Sequence, residues 1–394
     1  MQTGPQPADF ADVRATNLAV VLRHVRAHGP VSRAGIAAAT GLNKATVSSL
    51  VADLIERRLL RETGLAENRI GRPATMLVLD GSAYAAIGIE VNGDHLTAVA
   101  VDLAGEQLLF WRRAFTGRVS AGVGAGRGVS AIAALAGRAA SRAVAQGRQV
   151  LGLTVGVPGL VDEAGAVRRS DALGWTGVDL RGDLLKALRK PEFDVAVDND
   201  ANLAALAEQR YGGHRGARNL IYVAGETGLG AGLIVDGRLL RGGRGFTGEI
   251  GRLQLHGGTL QELAGIESLI QRALPDADAE GPITDFAPEV ERVAAAARAG
   301  DAHALAALRD VGRHLGHGLS LLASLLDPEV IVLGGYFVPL TEWLLPAARA
   351  EMTATDTGGV TLIGSAIGPG AAATGGAARV LDALDAGVLP TLTA

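Results

Sequence analysis

The apolar residues near the start of the chain recur with helical spacing. Leu18, Val21, Leu22 and Val25 fall at i, i+3, i+4 and i+7, which predicts an amphipathic helix over residues 16–27. Gly29-Pro30 ends it. Ser32 supplies an N-cap for a second, short helix that Gly41 terminates, and Val47, Leu50, Val51 and Leu54 mark the buried face of a third. This spacing predicts a helix-turn-helix. Strands are expected at residues 59–63 and 76–79, flanking a Gly- and Arg-bearing loop at 64–75 of the kind that forms a wing.

From residue 84 the pattern changes to strands with tight turns and long Ala-rich helices. Residues 85–91, a turn at Asn92-Gly93, and residues 96–101 and 107–115 precede a helix at about 127–146 and an apolar strand at 150–155. Residues 220–224, a turn at Thr227-Gly228, and residues 230–235 and 238–240 precede helices including 302–326 and a strand at 330–333. The order strand, strand, strand, helix, strand therefore occurs twice. It predicts a duplicated α/β architecture with a cleft between the halves, where a ligand would sit.

Charge sharpens this division. The whole chain of 394 residues carries a net charge of −4, yet residues 14–72 hold ten Lys/Arg against four acids, a local +6 that leaves −10 for the rest. A basic module on an acidic body suits a nucleic-acid contact confined to one end. On the third helix, Lys44, Ser48 and Ser49, with Asn43 and Thr46 near its start, lie opposite the apolar face and can reach base edges or phosphates. Arg33 stands at the start of the second helix, and Arg69 and Arg72 sit in the wing, suited to phosphate or minor-groove contacts. A polar helix face is ordinarily just solvated, but that reading does not account for the helix spacing, the wing and the local charge together.

The 48% hydrophobic and 20% charged composition is that of a globular chain. Neither a membrane-length apolar run nor a signal-peptide core is present, so a cytoplasmic location is expected. Cysteine is absent, which removes disulfides, thiolate zinc sites and cysteine nucleophiles. His314 and His317 share a helical face, but such a pair is more often an ordinary surface or core feature than a ligand set, so no metal is expected.

Four segments stand out in the body: Gly156-Val-Pro-Gly159, Asp198-Asn-Asp-Ala-Asn202, Gly225-Glu-Thr-Gly-Leu-Gly-Ala-Gly232 and Gly248-Glu-Ile-Gly-Arg252. The glycines of the third offer backbone N–H groups to a phosphate, though such turns more often serve only tightness. In this order and at these separations, with Gly29-Pro-Val-Ser-Arg33 and Thr40-Gly-Leu-Asn-Lys-Ala-Thr-Val-Ser48 before them, the segments resemble the ROK family of repressors and sugar kinases, in its regulator branch. The resemblance implies a winged helix-turn-helix followed by an actin-like, hexokinase-type fold with a sugar between its lobes. By that likeness Asn199, Asp200 and Glu249 would hold sugar hydroxyls, and Asp200 would be the general base of a kinase. Leu333-Gly-Gly335 resembles the family's adenosine-side strand and turn.

The departures from the family pattern matter as much. Family kinases open with Asp-x-Gly-Gly-Thr, where this chain has Glu90-Val-Asn-Gly-Asp94. Asp94 is expected to aim negative charge at the phosphate position, and Asn92 replaces a glycine whose backbone should approach it. Phosphoryl transfer depends on electrostatic stabilisation, so no kinase activity and no cofactor are expected. The family's His-plus-Cys zinc run is missing after Gly251, where Arg252 stands in for the His. Gln261 replaces a sugar-binding Glu, and Ala172 occupies an Asn position. Arg252 would either favour an anionic ligand or pair internally with Glu249.

These readings predict a DNA-binding module over residues 1–80, a smaller lobe over 81–197 and a larger lobe over 198–394, with the C-terminal helix returning to the smaller one. The expected protein is a homodimeric or homotetrameric regulator, in the first instance a repressor of carbohydrate genes. It would bind a double-stranded DNA operator and be gated by a sugar, sugar phosphate or sugar acid at Asn199, Asp200, Glu249, Arg252 and Gln261. The rivals are an active ATP-dependent sugar kinase carrying a DNA-binding domain, and a regulator with an empty cleft controlled by a protein partner.

Overall fold

The computed structural model describes residues 10–65, 75–115, 125–275, 286–354 and 359–390. Three helices open the chain: α1 (Phe10–His28), α2 (Arg33–Thr40) and α3 (Lys44–Glu56). The Ser32 hydroxyl accepts from the Gly35 N–H at 3.1 Å to start α2, and Gly41 ends it in the left-handed conformation. Strands β2 (Leu60–Leu65) and β3 (Thr75–Leu79) form the winged hairpin, and a short β1 (Val31–Ser32), absent from the sequence expectation, pairs antiparallel with β3. Two residues are too few to leave an alternation in the sequence. The segment carrying Arg69 and Arg72 lies outside the described residues.

The body holds two five-stranded sheets. The first contains β4 (Tyr84–Val91), β5 (His95–Val101), β6 (Gln107–Ala114), β7 (Gln149–Val157) and β11 (Asp194–Asn199), in the order β11-β7-β4-β5-β6. Between β7 and β11 a small sheet of β8 (Leu160–Val161), β9 (Val167–Ser170) and β10 (Trp175–Val178) branches off. The second large sheet contains β12 (Leu220–Gly225), β13 (Leu229–Val235), β14 (Arg238–Leu239), β17 (Val330–Gly335) and β18 (Thr361–Gly364), in the order β14-β13-β12-β17-β18. Each sheet has an antiparallel meander of three strands extended by two parallel strands on the side of its first strand. The duplicated order read from the sequence is thus a shared topology, and the fold is a winged helix-turn-helix followed by an actin-like α/β body.

Helix α4 (Gly126–Ala145) covers one face of the first sheet, where Ile87, Ile89 and Val91 join Ile132, Leu135 and Ala136 in one core. Strand β4 is buried at every position, so its other face is covered as well. There α12 (Ala371–Asp385) lies so close that a Cβ on Gly88 would stand within 2 Å of the Ala373 carbonyl oxygen. On the second sheet one face packs against α8 (Ile266–Ala273), α9 (Phe286–Arg298), α10 (Ala302–Leu326) and α11 (Thr341–Ala354), and the other against α6 (Asp200–Tyr211). Helices α6 and α12 pack on each other, one from each half.

The helix-turn-helix does not hang from a linker. Its core residues Leu18, Val21, Leu22, Val25, Leu50 and Leu54 belong to the same buried cluster as Tyr84, Ala86, Val99 and Val101 of the first sheet and Leu381 and Leu384 of α12. Continuous burial of this kind couples the two parts energetically, since separating them would return apolar surface to water at roughly 25 cal/mol per Å². Polar bonds reinforce the contact: Tyr84 donates to the Arg57 carbonyl at 2.7 Å, and Arg57 donates to the Pro390 carbonyl at 3.0 Å. No helix among the described residues is long and apolar enough to cross a membrane.

Candidate functional site

On α3, Val47, Leu50, Val51 and Leu54 are buried as the spacing predicts, leaving Lys44, Ser48 and Ser49 exposed. The other residues of this face are less available than the sequence suggests. Asn43 is the N-cap of α3, its amide oxygen accepting from the Thr46 N–H at 2.8 Å, and Thr46 is itself partly buried. The Ser48 hydroxyl donates back to the Lys44 carbonyl at 2.9 Å, and Arg33 pairs with Glu62 at 2.7 Å. Capping and back-bonding are local demands of helix ends and short hydroxyl side chains, which a pattern of polar positions does not reveal. Lys44 and Ser49 remain the most outward-facing groups.

Between the two sheets lies a cleft of about 760 Å³ whose walls include Asn199, Asp200, Glu249, Arg252 and Gln261. The structure therefore gathers all five candidates of the body at one place. Asn199 ends β11 and caps α6, its oxygen accepting from the Asn202 N–H at 3.0 Å while its amide donates to the Gly159 carbonyl at 3.1 Å. Its amide is thus already engaged, and Asp200 stands one residue on, at the first turn of α6. Arg252 pairs with Glu249 at 3.1 Å yet stays 57% exposed, so the guanidinium still faces the cleft. Gln261, on α7 (Leu260–Ala264), accepts from the Leu229 N–H at 2.5 Å and pins the start of β13. Arg169, Ser170, Asp171 and Ala172 close the opposite wall.

Next to this space lies a second cavity of about 230 Å³, lined by Glu90, His95, Arg112, Asp200, Glu226 and Tyr336 among others. Asp94 does not sit in its wall as the sequence suggests: it takes a hydrogen bond from His95 Nδ1 at 2.6 Å and another from the Tyr336 hydroxyl at 3.0 Å. The carboxylates lining the cavity are Glu90, Asp200, Glu226 and Glu291, beside the basic side chains of His95 and Arg112. Glu226 was not singled out from sequence, although an acid inside a glycine turn is the signal that marks it. Asn92 donates to Glu226 at 2.8 Å and accepts from the Thr227 hydroxyl at 2.7 Å. Asn92 follows β4 and Thr227 follows β12, so equivalent turns of the two halves are bonded to each other across the cleft.

Electrostatics follow from this crowding. Burial would depress the His95 imidazole, but hydrogen bonds to Asp94 and Glu90 outweigh it and lift the pKa to about 9. Burial, with the charge of Glu90 adding to it, pushes Glu226 up to about 8. Asp200 rises to about 7, again through burial first and then the charges of Glu90 and Glu249. Among the described residues no group of three or more His, Asp or Glu is arranged to hold a metal ion, and His317 pairs instead with Glu351 at 2.5 Å.

Comparison with known proteins gives both parts a setting. The ROK family profile matches residues 86–358 and the MarR family profile matches residues 19–69. The chain is 27% identical over 392 residues to the xylose repressor of Bacillus subtilis, covering 95% of this chain and 97% of that one. It superposes on the crystal structure of a ROK family transcriptional regulator, a homolog of the E. coli MLC protein, with a TM-score of 0.79 and 25% identity over 96% of this chain and 98% of the other. A ROK family glucokinase from Streptomyces griseus, in complex with glucose and AMPPNP, matches with a TM-score of 0.62 and 26% identity, over 75% of this chain and 98% of the kinase.

Proposed function

The chain belongs to the ROK family, and from that premise we propose that it is a DNA-binding transcriptional regulator, acting as a repressor, whose cleft binds a carbohydrate without phosphorylating it. The observation that carries this reading is the contrast within one cleft. Its sugar side is open and lined by Asp200, Glu249 and Arg252, while its phosphate side is bridged by hydrogen bonds from Asn92 to Glu226 and from Thr227 to Asn92. Carboxylates accept paired hydroxyls well, and the exposed Arg252 adds affinity for a sugar phosphate or sugar acid. Transferred phosphoryl groups need cations and N–H donors turned towards them, and here the two turns spend polar groups on each other. The name of the Bacillus subtilis relative and the glucose held by the Streptomyces griseus kinase support a sugar-sized occupant.

DNA contact is assigned to α3 through Lys44 and Ser49, with Ser48, Thr46, Asn43 and Arg33 at its margins and Arg69 and Arg72 on the wing. Readers of this type place one recognition helix in each half-site, so the working unit is a homodimer or a pair of dimers on a two-fold operator. A sugar regulates such a unit only by binding its alternative lobe arrangements unequally.

The test is the melting temperature of the full chain with D-xylose, D-glucose and glucose 6-phosphate, each with and without magnesium ATP. At one hundred times Kd a ligand should stabilise by about 2.7 kcal/mol, and ATP should add nothing. A shift with ATP accompanied by turnover would establish a kinase instead. No shift with any carbohydrate would remove the sugar from the proposal and leave a protein partner as the regulator.

A further inference from the structure

Resting on the reading of the cleft as the ligand site, we propose that Arg210 and Asp382, with Arg26 and Asp385, are positioning residues that carry the state of the cleft to the helix-turn-helix through the paired helices α6 and α12.

The geometry is that of a two-helix strut. Both helices begin at the cleft, where Asp200 opens α6 and Ala371 and Ala372 line the adjoining cavity at the start of α12. They run side by side in the same direction and in constant register. A Cβ on Gly375 would stand within 2 Å of the Leu203 carbonyl oxygen, and seven residues further along each helix Arg210 bonds Asp382. Seven residues are about 10 Å of helix, so the two contacts fix the pair at separated levels. Backbone meets backbone at Gly375 and again at Gly88, which leaves no layer of flexible side chains to absorb a shift.

At the cleft end, the strut is tied to the residue preceding Asn199. Asp198 is held by Arg379 of α12 and by Arg241, the latter at 2.7 Å. At the far end, Arg26 in the last turn of α1 bonds Asp385, and Arg210 lies 3.8 Å from the same carboxylate. Four opposite charges from α1, α6 and α12 thus meet beside the core that α1 shares with Leu381 and Leu384. This cluster is under-bonded: Arg26 Nε and Nη2, Arg210 Nη2 and Asp385 Oδ1 are buried with no hydrogen-bond partner among the described residues. Buried groups with spare donors and acceptors favour a rearrangement that pairs them, so a small axial shift of the α6–α12 pair past α1 has an alternative bonding pattern available to it.

The experiment uses the full chain and starts without a ligand. Asn199→Ser removes the amide that reaches Gly159 while keeping an oxygen to cap α6, and amide hydrogen exchange is followed over residues 20–28 of α1. Exchange there should change about threefold or more, the change should vanish when Arg210→Gln is added, and Arg210→Lys should restore it. Melting curves establish that each variant is folded, and Asp382→Asn supplies a second break in the same link. An unaltered α1 in Asn199→Ser, or the same response with and without Arg210→Gln, overturns the strut.

A second arm measures affinity for a duplex selected from a random library by the unsubstituted chain, with and without D-xylose, D-glucose or glucose 6-phosphate. Arg210→Gln should bind the sugar with an unchanged midpoint, while the sugar's effect on duplex affinity falls from about fivefold or more towards none. If it keeps the full effect, the assignment of these residues fails. If the unsubstituted chain ignores every sugar while the exchange link holds, the reading of the cleft fails and the strut stands.

Discussion

The two ends of the cleft belong to one fold and have different characters. At the sugar end, Asp200, Glu249 and Arg252 stand around an open space of about 760 Å³. At the phosphate end the turns after β4 and β12 bond each other through Asn92, Glu226 and Thr227, and four carboxylates with His95 and Arg112 line what cavity remains. The difference teaches that two equivalent turns can spend their polar groups on each other and close one end of a cleft whose other end stays open. These hydrogen bonds join the two halves directly at that end.

The contrast breaks most sharply at Asp200. Asp200→Asn should cost about tenfold to 150-fold in affinity for whichever of D-xylose, D-glucose or glucose 6-phosphate binds, as expected for a charge-assisted hydrogen bond, with calorimetry as the readout. Unchanged sugar affinity would mean that the open end is not the binding end. Asn92→Ala should strip Glu226 of its donor and Thr227 of its acceptor, destabilising the chain by about 1–3 kcal/mol in thermal or urea unfolding. A neutral result would show that the bridge does not hold the phosphate end shut.

The pH profile sharpens the comparison further. Glu226, lifted from 4.5 to about 8, Asp200, lifted from 3.8 to about 7, and His95, lifted from 6.5 to about 9, all bind protons more tightly folded than unfolded. Their contribution to stability is therefore greatest at low pH and is lost as pH rises through the lifted values. The melting temperature should fall between about pH 5 and 9, and Glu226→Gln should flatten the part below about pH 8. A profile rising over that range would contradict the crowding at the phosphate end. The smallest effect belongs to Arg252→Gln at the open end. Breaking an exposed pair should change stability by less than about 1 kcal/mol while reducing any preference for glucose 6-phosphate over glucose, which competition binding would detect.

Much of the fold can be read along the chain because its signals are local. The apolar spacing of α1 and α3, the caps at Ser32 and Gly41 and the repeated order of strands depend on residues close together in sequence. The approximate location of the site was legible too, since Asn199, Asp200, Glu249, Arg252 and Gln261 all line one cleft. What each polar group does there was less legible. Asn43 and Gln261 looked free to contact ligands, but their acceptors are taken by the Thr46 and Leu229 N–H groups. Asp94 was expected at the phosphate position, yet it turns to His95 and Tyr336, and Tyr336 lies 242 residues away in sequence.

The sequence by itself determined the two kinds of structure in the chain, their order, and the chemistry concentrated in each, because periodicity, caps and local charge act over a few residues. Only the tertiary structure decided that the turns after β4 and β12 would meet through Asn92 and Glu226. It also decided that α6 and α12 would run in register from the cleft, and that Arg26, Arg210, Asp382 and Asp385 would meet in one cluster. Those outcomes depend on which distant surfaces pack, and a charged side chain reads the same along a sequence whether it ends in water or against a partner from another part of the chain.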